Sequence, residues 1–303
     1  MVPDGDAVVV AGIRVTHPER VLFDEMGLTK AALARYYESV AEWMLPELRE
    51  RPLSLVRCPQ GPGEGCFYQK NIDERFPDEI ERVPVTIATG GPYAAANSIG
   101  AVVGLVQMGV IELHAWGSTT KDLQKPDRIV LDLDPDASIP WREVMAAAHL
   151  TRERLSDLGL ESFVKTTGGK GLHVVVPIAR RHDWDEVKAF AHAFAEAMAR
   201  EAPGRFLTKA SKKEREGRIF IDWLRNGEGA TAVVPYSVRA RRGAPVATPL
   251  HWDEVGGRMK PTQFTVASVP RRLAALRTDP WLAMRRLSQT LTAPLRRKLG
   301  MTP

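Results

Sequence analysis

The stretch Arg128-Ile129-Val130-Leu131-Asp132-Leu133-Asp134 decides the fold. It is a short apolar run that ends in carboxylates, which predicts a buried strand. Outward from it, residues 141–158 carry the apolar repeat of an amphipathic helix, stopped by Gly159. Residues 161–166 read as a strand, Gly168-Gly169-Lys170-Gly171 as a turn, and 172–178 as a second, β-branched strand. A further amphipathic helix is expected over 185–201 and a last strand over 218–223.

The order β-α-β-β-α-β predicts an α+β fold of ferredoxin-like or RNA-recognition-motif arrangement, a sheet with helices on one face. There the first strand lies between the third and the fourth, with neighbours about 4.8 Å apart. Residues of those three strands therefore share the open face. Upstream, Thr29 is a candidate N-cap, with Leu33, Tyr36, Tyr37, Val40 and Met44 on a helical repeat behind it. Pro46 and the Arg51-Pro52 step are expected to close that helix. The loop Gly61-Pro62-Gly63-Glu64-Gly65 runs into Cys66-Phe67-Tyr68-Gln69-Lys70, and a second helix is expected around 94–108. After Pro270 a helical extension is expected, with Leu273, Leu276, Trp281, Leu282 and Leu287 as its apolar side. The parts expected are 1–120, 121–270 and 271–303, an N-terminal part, a catalytic part and a C-terminal extension.

The 303 residues suit about two domains. A hydrophobic content of 44% and a charged content of 26% exclude disorder as the main state. Two cysteines, Cys58 and Cys66, are too few for a disulfide framework or a zinc cage. No secretory signal is visible at the start. The apolar stretch 93–110 is interrupted by Asn97, Ser98, Gly100, Gly104 and Gln107, which excludes a membrane span there. A cytoplasmic setting with reduced thiols is expected. The charge balance, 42 Lys+Arg against 37 Asp+Glu, is mildly basic. Its basic residues cluster at Lys209, Lys212, Lys213, Arg215 and Arg218, at Arg239, Arg241 and Arg242, and at Arg296, Arg297 and Lys298. Such clusters favour polyanions or are simply solvated faces.

Side chains at i and i+2 of a strand share a face, so Asp132 and Asp134 lie together while Leu133 enters the core. Two adjacent anions repel, and a divalent cation relieves the cost. A plain strand end leading into a helix is the alternative. Asp222, in the apolar run Ile219-Phe220-Ile221-Asp222-Trp223, would border Asp132 if that run is the fourth strand. Three carboxylates on one face suit a two-metal site, and a salt bridge to Arg225 or Arg218 is the alternative. The turn Thr167-Gly168-Gly169-Lys170-Gly171-Leu172-His173 can offer backbone N–H groups, an ammonium and an imidazole to phosphate. It lacks Walker A spacing, and a plain hairpin remains possible. Arg239 can grip phosphate, although as a lone arginine it also reads as a surface residue.

The motifs Asp132-Leu133-Asp134-Pro135, Thr167 to His173, Phe220-Ile221-Asp222-Trp223 and Pro235-Tyr236-Ser237-Val238-Arg239 resemble the polymerase domain of bacterial DNA ligase D, in the archaeo-eukaryotic primase superfamily. The resemblance runs from about 15 to about 254 in motif order. It implies a primase-like fold, an N-terminal α/β cap packed on the catalytic unit. It implies a DNA-directed nucleotidyltransferase that fills gaps and extends broken ends in non-homologous end joining, preferring ribonucleotides. Two metal ions, Mn²⁺ or Mg²⁺, would be held by Asp132, Asp134 and Asp222. NTP or dNTP contacts would fall to His114, in its Glu-x-His context, and to Thr167, Lys170, His173 and Arg239. His17, Arg20 and Lys30 would hold the 5′-phosphate of a DNA break, and Phe67 and Tyr68 would stack near the template. DNA, Ku and a DNA ligase are the implied partners, and the implied place is the nucleoid. No Lys-x-Asp-Gly ligase motif occurs, so a stand-alone polymerase or an excised domain is expected. Rival readings are a non-catalytic binder of 5′-phosphorylated ends and a two-metal phosphodiesterase.

Overall fold

The computed structural model describes residues 7–87 and 90–301; the Lys212 side chain lies outside the described residues. The chain divides into two compact units. The first comprises Met1–Trp116, Val233–Thr248 and Gln263–Arg277, the second Gly117–Ala232, Pro249–Thr262 and Thr278–Pro303. Residues 233–248 and 263–270, expected with the catalytic part, thus cluster with the first unit. The expected C-terminal extension is divided at Arg277/Thr278. Sequence order cannot show such returns, because they are set by long-range packing.

In the first unit, two short hairpins lead in: Ala7–Val10 (β1) with Ile13–Thr16 (β2), and Val21–Phe23 (β3) with Leu28–Thr29 (β4). Thr29 Oγ1 accepts from Ala32 N at 3.2 Å and caps Lys30–Ser39 (α1). The expected single helix is two, because Val40 breaks the run before Ala41–Leu48 (α2). Pro46 does not close α2 but sits inside it, where it forgoes one backbone bond. Then come Leu53–Arg57 (β5), Phe67–Gln69 (β6), Glu81–Val83 (β7) and Tyr93–Ala95 (β8). The helix expected over 94–108 begins later, at Ile99–Gln107 (α3), because the Ser98 side chain caps it. Val110–Trp116 (β9), buried throughout, completes a sheet with the order β9-β5-β8-β7, with β6 also pairing with β5. Arg57 pairs with Phe67 in the β5–β6 ladder, so the next residues, Cys58 and Cys66, face each other. Their Cα atoms are 4.4 Å apart and a disulfide joins them. This corrects the expectation of reduced thiols; the register is what brings them together.

In the second unit, Arg128–Pro135 (β10), Trp141–Asp157 (α4), Phe163–Thr166 (β11), Leu172–Pro177 (β12), Trp184–Glu201 (α5) and, after an unexpected two-residue strand Phe206–Leu207 (β13), Ile219–Asp222 (β14) keep the predicted order. A capping box between Asp183 and Glu186 starts α5. The sheet order is β13-β14-β10-β12-β11, closed by Pro249–Leu250 beyond β11. The first strand thus lies between the third and fourth, as the chain order predicts. Ile129, Leu131 and Leu133 are buried on one face of β10, and alternation turns Val130, Asp132 and Asp134 to the other. On that face Val130, Phe163, Val175, Trp281 and Met284 form an apolar cluster, and Trp281 Nε1 donates to the Val164 carbonyl at 3.1 Å. The end of the chain therefore covers one part of the face and leaves the carboxylate end to other chemistry. Among the described residues, no helix is long and apolar enough to cross a membrane.

Candidate active site

The register of the second sheet places one row of charged side chains across four strands. Lys165 on β11 pairs with His173 on β12, His173 with Asp132 on β10, and Asp132 with Asp222 on β14. Asp134 stands two residues along β10 on the same face. The adjacency expected for Asp132, Asp134 and Asp222 is therefore present. His173 Nε2 lies 3.4 Å from Asp132 Oδ2. The Arg225 guanidinium reaches both carboxylates, with Nε 3.2 Å from Asp132 Oδ2 and 3.2 Å from Asp222 Oδ2. The salt bridge weighed as an alternative for Asp222 thus exists, and it bridges the pair.

Burial alone would raise the Asp132 pKa, but His173, with the Arg225 and Lys165 charges, holds it well below the usual carboxylate range. Burial also lowers His173, to about 4, reinforced by the Lys165 charge. At neutral pH the contact is therefore a neutral imidazole facing an ionised carboxylate. Asp222 is raised, by burial first, against the pull of Arg225, with the Asp132 charge adding to it. Asp134 is one-third exposed and carries two cations: Arg215 Nη1 at 2.6 Å from Oδ2 and Lys170 Nζ at 3.3 Å from Oδ1. Arg215 also lies over the Phe220 ring at 4.1 Å.

The turn between β11 and β12 is built tightly. Thr167 Oγ1 donates to the Gly171 carbonyl at 3.1 Å and accepts from Gly169 N at 3.2 Å. Gly168 has φ 66°, in the left-handed region. A Cβ on Gly171 would stand 2.5 Å from the Leu133 carbonyl oxygen. Glycine therefore lets the turn press against β10 beside the carboxylates. Lys170 Nζ donates to the Pro135 carbonyl as well as pairing with Asp134.

The donor set fits a hard divalent cation, since carboxylate oxygens are what Mg²⁺ and Mn²⁺ prefer. Arg225 supplies positive charge at the point where Asp132 and Asp222 meet. Among the described residues, however, no group of three or more His, Cys, Asp or Glu side chains is gathered as a ready cage. Metal capture would need the arginines to give way.

In the first unit, Glu112 and His114 share a face of β9. His114 Nε2 lies 2.7 Å from Glu112 Oε2, and Arg239 Nε donates to the same oxygen at 2.9 Å. Arg239 is mostly buried rather than a solvated surface residue. The corner before it is anchored by α1: Tyr36 Oη donates to the Tyr236 carbonyl at 2.9 Å, and Tyr37 Oη accepts from Val238 N at 3.1 Å. The Tyr68 ring meets His114 edge-on at 5.8 Å. Phe67 and Tyr68 are 47% and 67% exposed, which leaves them open to stacking.

A cleft of about 250 Å³ in the same unit is lined by Arg20, Lys30, Arg57, Gln107 and residues next to them. Lys30 Nζ donates to Gln107 Oε1 at 2.7 Å and to the Thr16 carbonyl at 3.1 Å. Burial, with the nearby Arg20 charge, lowers its pKa to about 8. Arg20 Nη1 donates to the Pro59 carbonyl at 3.0 Å. His17 is exposed, with φ 51°, and is not among the lining residues.

Sequence reading missed Arg57, Lys165 and Glu112, and counted Arg215 only within a basic cluster. Lysine inside the run Phe163-Val164-Lys165-Thr166 was the available signal, as a charge in a buried strand. Glu112, in the buried strand Val110–Trp116, carried the same signal.

Comparison with known proteins identifies a polymerase-type nucleotidyltransferase. The sequence pattern of the LigD primase-polymerase domain matches residues 29–281, and the chain belongs to that family. It is 42% identical over 292 residues to the multifunctional non-homologous end joining protein LigD of Pseudomonas aeruginosa, covering 96% of this chain and 35% of that protein. It is 32% identical over 246 residues to the Mycolicibacterium smegmatis protein so described, covering 80% and 32%. The chain thus spans about a third of the length of these curated relatives. In structure it resembles the polymerase domain from Mycobacterium tuberculosis ligase D in complex with DNA, with a TM-score of 0.81 and 26% identity over 96% of this chain and 99% of that one.

Proposed function

We propose that the chain extends a primer 3′-hydroxyl at gaps and broken DNA ends during non-homologous end joining, with ribonucleotides preferred. The observation that carries the reading is the cross-strand pair Asp132–Asp222, with Asp134 beside it on the same face. Asp132, Asp134 and Asp222 would hold two divalent ions, Mn²⁺ or Mg²⁺. Such ions activate an attacking oxygen and stabilise a leaving phosphate. Before they bind, Arg225 and Arg215 keep the carboxylates compensated. Thr167 and the backbone of its turn, Lys170 and His173 would face phosphate oxygens in the second unit, while His114 and Arg239 are read as nucleotide contacts in the first. The named relatives act in end joining and the structural neighbour holds DNA, which supports DNA as the partner here. Ku and a ligase are proposed as further partners, and a nucleoid setting in the cytoplasm as the place.

The test is primer extension on a gapped, 5′-phosphorylated duplex with matched rNTP and dNTP sets and either metal. Asp132→Ala and Asp222→Ala should each reduce extension to background while DNA affinity stays within a few-fold. Extension near the unmodified rate in either variant would sink the metal assignment. Equal kcat/KM for rNTP and dNTP would sink the sugar preference.

A further inference from the structure

We propose that Glu112 is a positioning residue for the reaction, a buried carboxylate that sets the tautomer of His114 and aims the Arg239 guanidinium. The inference rests on the reading of His114 and Arg239 as nucleotide contacts. Glu112 is 4% exposed, and its carboxylate takes three donors. Oε2 faces His114 Nε2 at 2.7 Å and Arg239 Nε at 2.9 Å; Oε1 accepts from Ala240 N at 2.8 Å. The anion is the stable form: burial works against it, yet His114, Arg239 and the Ala240 amide hold its pKa at about 2.

The consequence for His114 follows from hydrogen-bond inventory. An ionised carboxylate only accepts, so the Nε2 atom facing it must carry the proton. Nδ1 is then the ring's second nitrogen for any other contact. The same oxygen orients the Arg239 fork through Nε, which fixes the plane in which the guanidinium lies. One acceptor thus ties two side chains 125 residues apart in sequence, His114 and Arg239, into a single arrangement. A carboxylate beside a histidine ligand plays this orienting part in metal sites; here it orients two recognition groups. Glu112 itself is enclosed by its donors, which fits positioning better than contact with the reacting atoms.

The experiment uses the full chain. Two-dimensional ¹⁵N spectra of histidine-labelled protein, assigned with His114→Ala, report the tautomer directly. The expected wild-type signature is a protonated Nε2. In Glu112→Gln, whose amide can either donate or accept, the His114 ¹⁵N shifts should move. A wild-type ring protonated on Nδ1 alone, or unmoved shifts in Glu112→Gln, would overturn the proposal; the first needs no variant to fold. Kinetics give the second readout. Hydrogen bonds to charged groups contribute about 1.5–3 kcal/mol, so Glu112→Gln should raise the KM for nucleotide by roughly tenfold or more, with a smaller change in kcat. Adding Glu112→Gln to the His114→Ala/Arg239→Ala pair should make KM no worse than in that pair alone, since both positioned groups are already gone. A further rise in KM when Glu112→Gln is added to that pair, or an unchanged KM in Glu112→Gln while His114→Ala and Arg239→Ala raise it, would overturn positioning. If His114→Ala and Arg239→Ala leave KM unchanged, the nucleotide-contact reading fails instead, and the ¹⁵N shifts still decide the Glu112 geometry.

Discussion

Lys30 shows how one residue can be legible in kind and not in state. Its place behind the Thr29 cap marks it as a first-turn cation. Only the packed structure shows the ammonium set against Gln107 and the Thr16 carbonyl, where burial first, and then the Arg20 charge, weakens its hold on the proton. The folded pKa lies near 8, below the ordinary 10.5. Between those values the unfolded chain binds more protons, so this site's contribution to stability rises with pH across that window. A 5′-phosphate contact proposed at Lys30 would run the other way. As pH rises through about 8 the ammonium is lost, and preference for a 5′-phosphorylated over a 5′-hydroxyl end should fall. Competition binding with the two ends from pH 7 to 9.5 measures this. A preference flat across the range would mean that Lys30 is not the phosphate ligand or that Arg20 and Arg57 suffice.

Among the elements, two turns are held by close contacts of their own. The hairpin from Thr167 to His173 depends on Gly171, whose missing side chain lets the Leu133 carbonyl approach. Gly171→Ala puts a methyl against backbone, which cannot yield as a flexible side chain can. The expected cost is about 1–3 kcal/mol, read from the urea midpoint. Extension should fall further than stability alone explains, because the displaced turn adjoins Asp132. Full activity in a destabilised variant would separate the turn from the site. The other turn joins β5 to β6 through the Cys58–Cys66 disulfide, which closes a short loop just before Phe67 and Tyr68. A loop of this size is worth about 2–3 kcal/mol through the unfolded chain. A dithiol reductant should lower the urea midpoint of the unmodified protein and leave Cys58→Ser/Cys66→Ser unaffected. Equal midpoints with and without reductant in the unmodified protein would count against the bond's contribution.

Over the whole molecule, a net charge of +5 is modest, and the basic side chains do different work in different places. Arg215, from one basic cluster, is committed to Asp134, and Arg296, from another, to Glu186. Arg20 and Lys30 line a cleft instead. General attraction to a DNA backbone releases counterions and weakens with salt, whereas the proposed recognition of an end phosphate would use the cleft. Arg20→Ala with Lys30→Ala should therefore erase the 5′-phosphate preference on gapped duplex and spare extension on a simple primer–template. An undiminished preference in the double variant would move the pocket elsewhere.

Features that depend on neighbours along the chain were legible from residue order alone. Strand periodicity put Asp132 and Asp134 on one face and Leu133 in the core, since alternation is a local property. The order of strands and helices, the Thr29 cap and the glycine turn were legible for the same reason. Family likeness added His114 and Arg239, which local pattern left as ordinary residues. Features that depend on register and on the chain's returns emerged only in the folded molecule. It set Asp222 opposite Asp132, bridged the pair with Arg225, buried Lys165 in their row and closed Glu112 on His114 and Arg239. It also divided the last third of the chain between two units. Glu112 and Arg239 stand 127 residues apart. Nothing in either one's local sequence encodes the other, so their pairing arises only when hydrophobic burial brings distant segments together and leaves a buried charge that must find its partner.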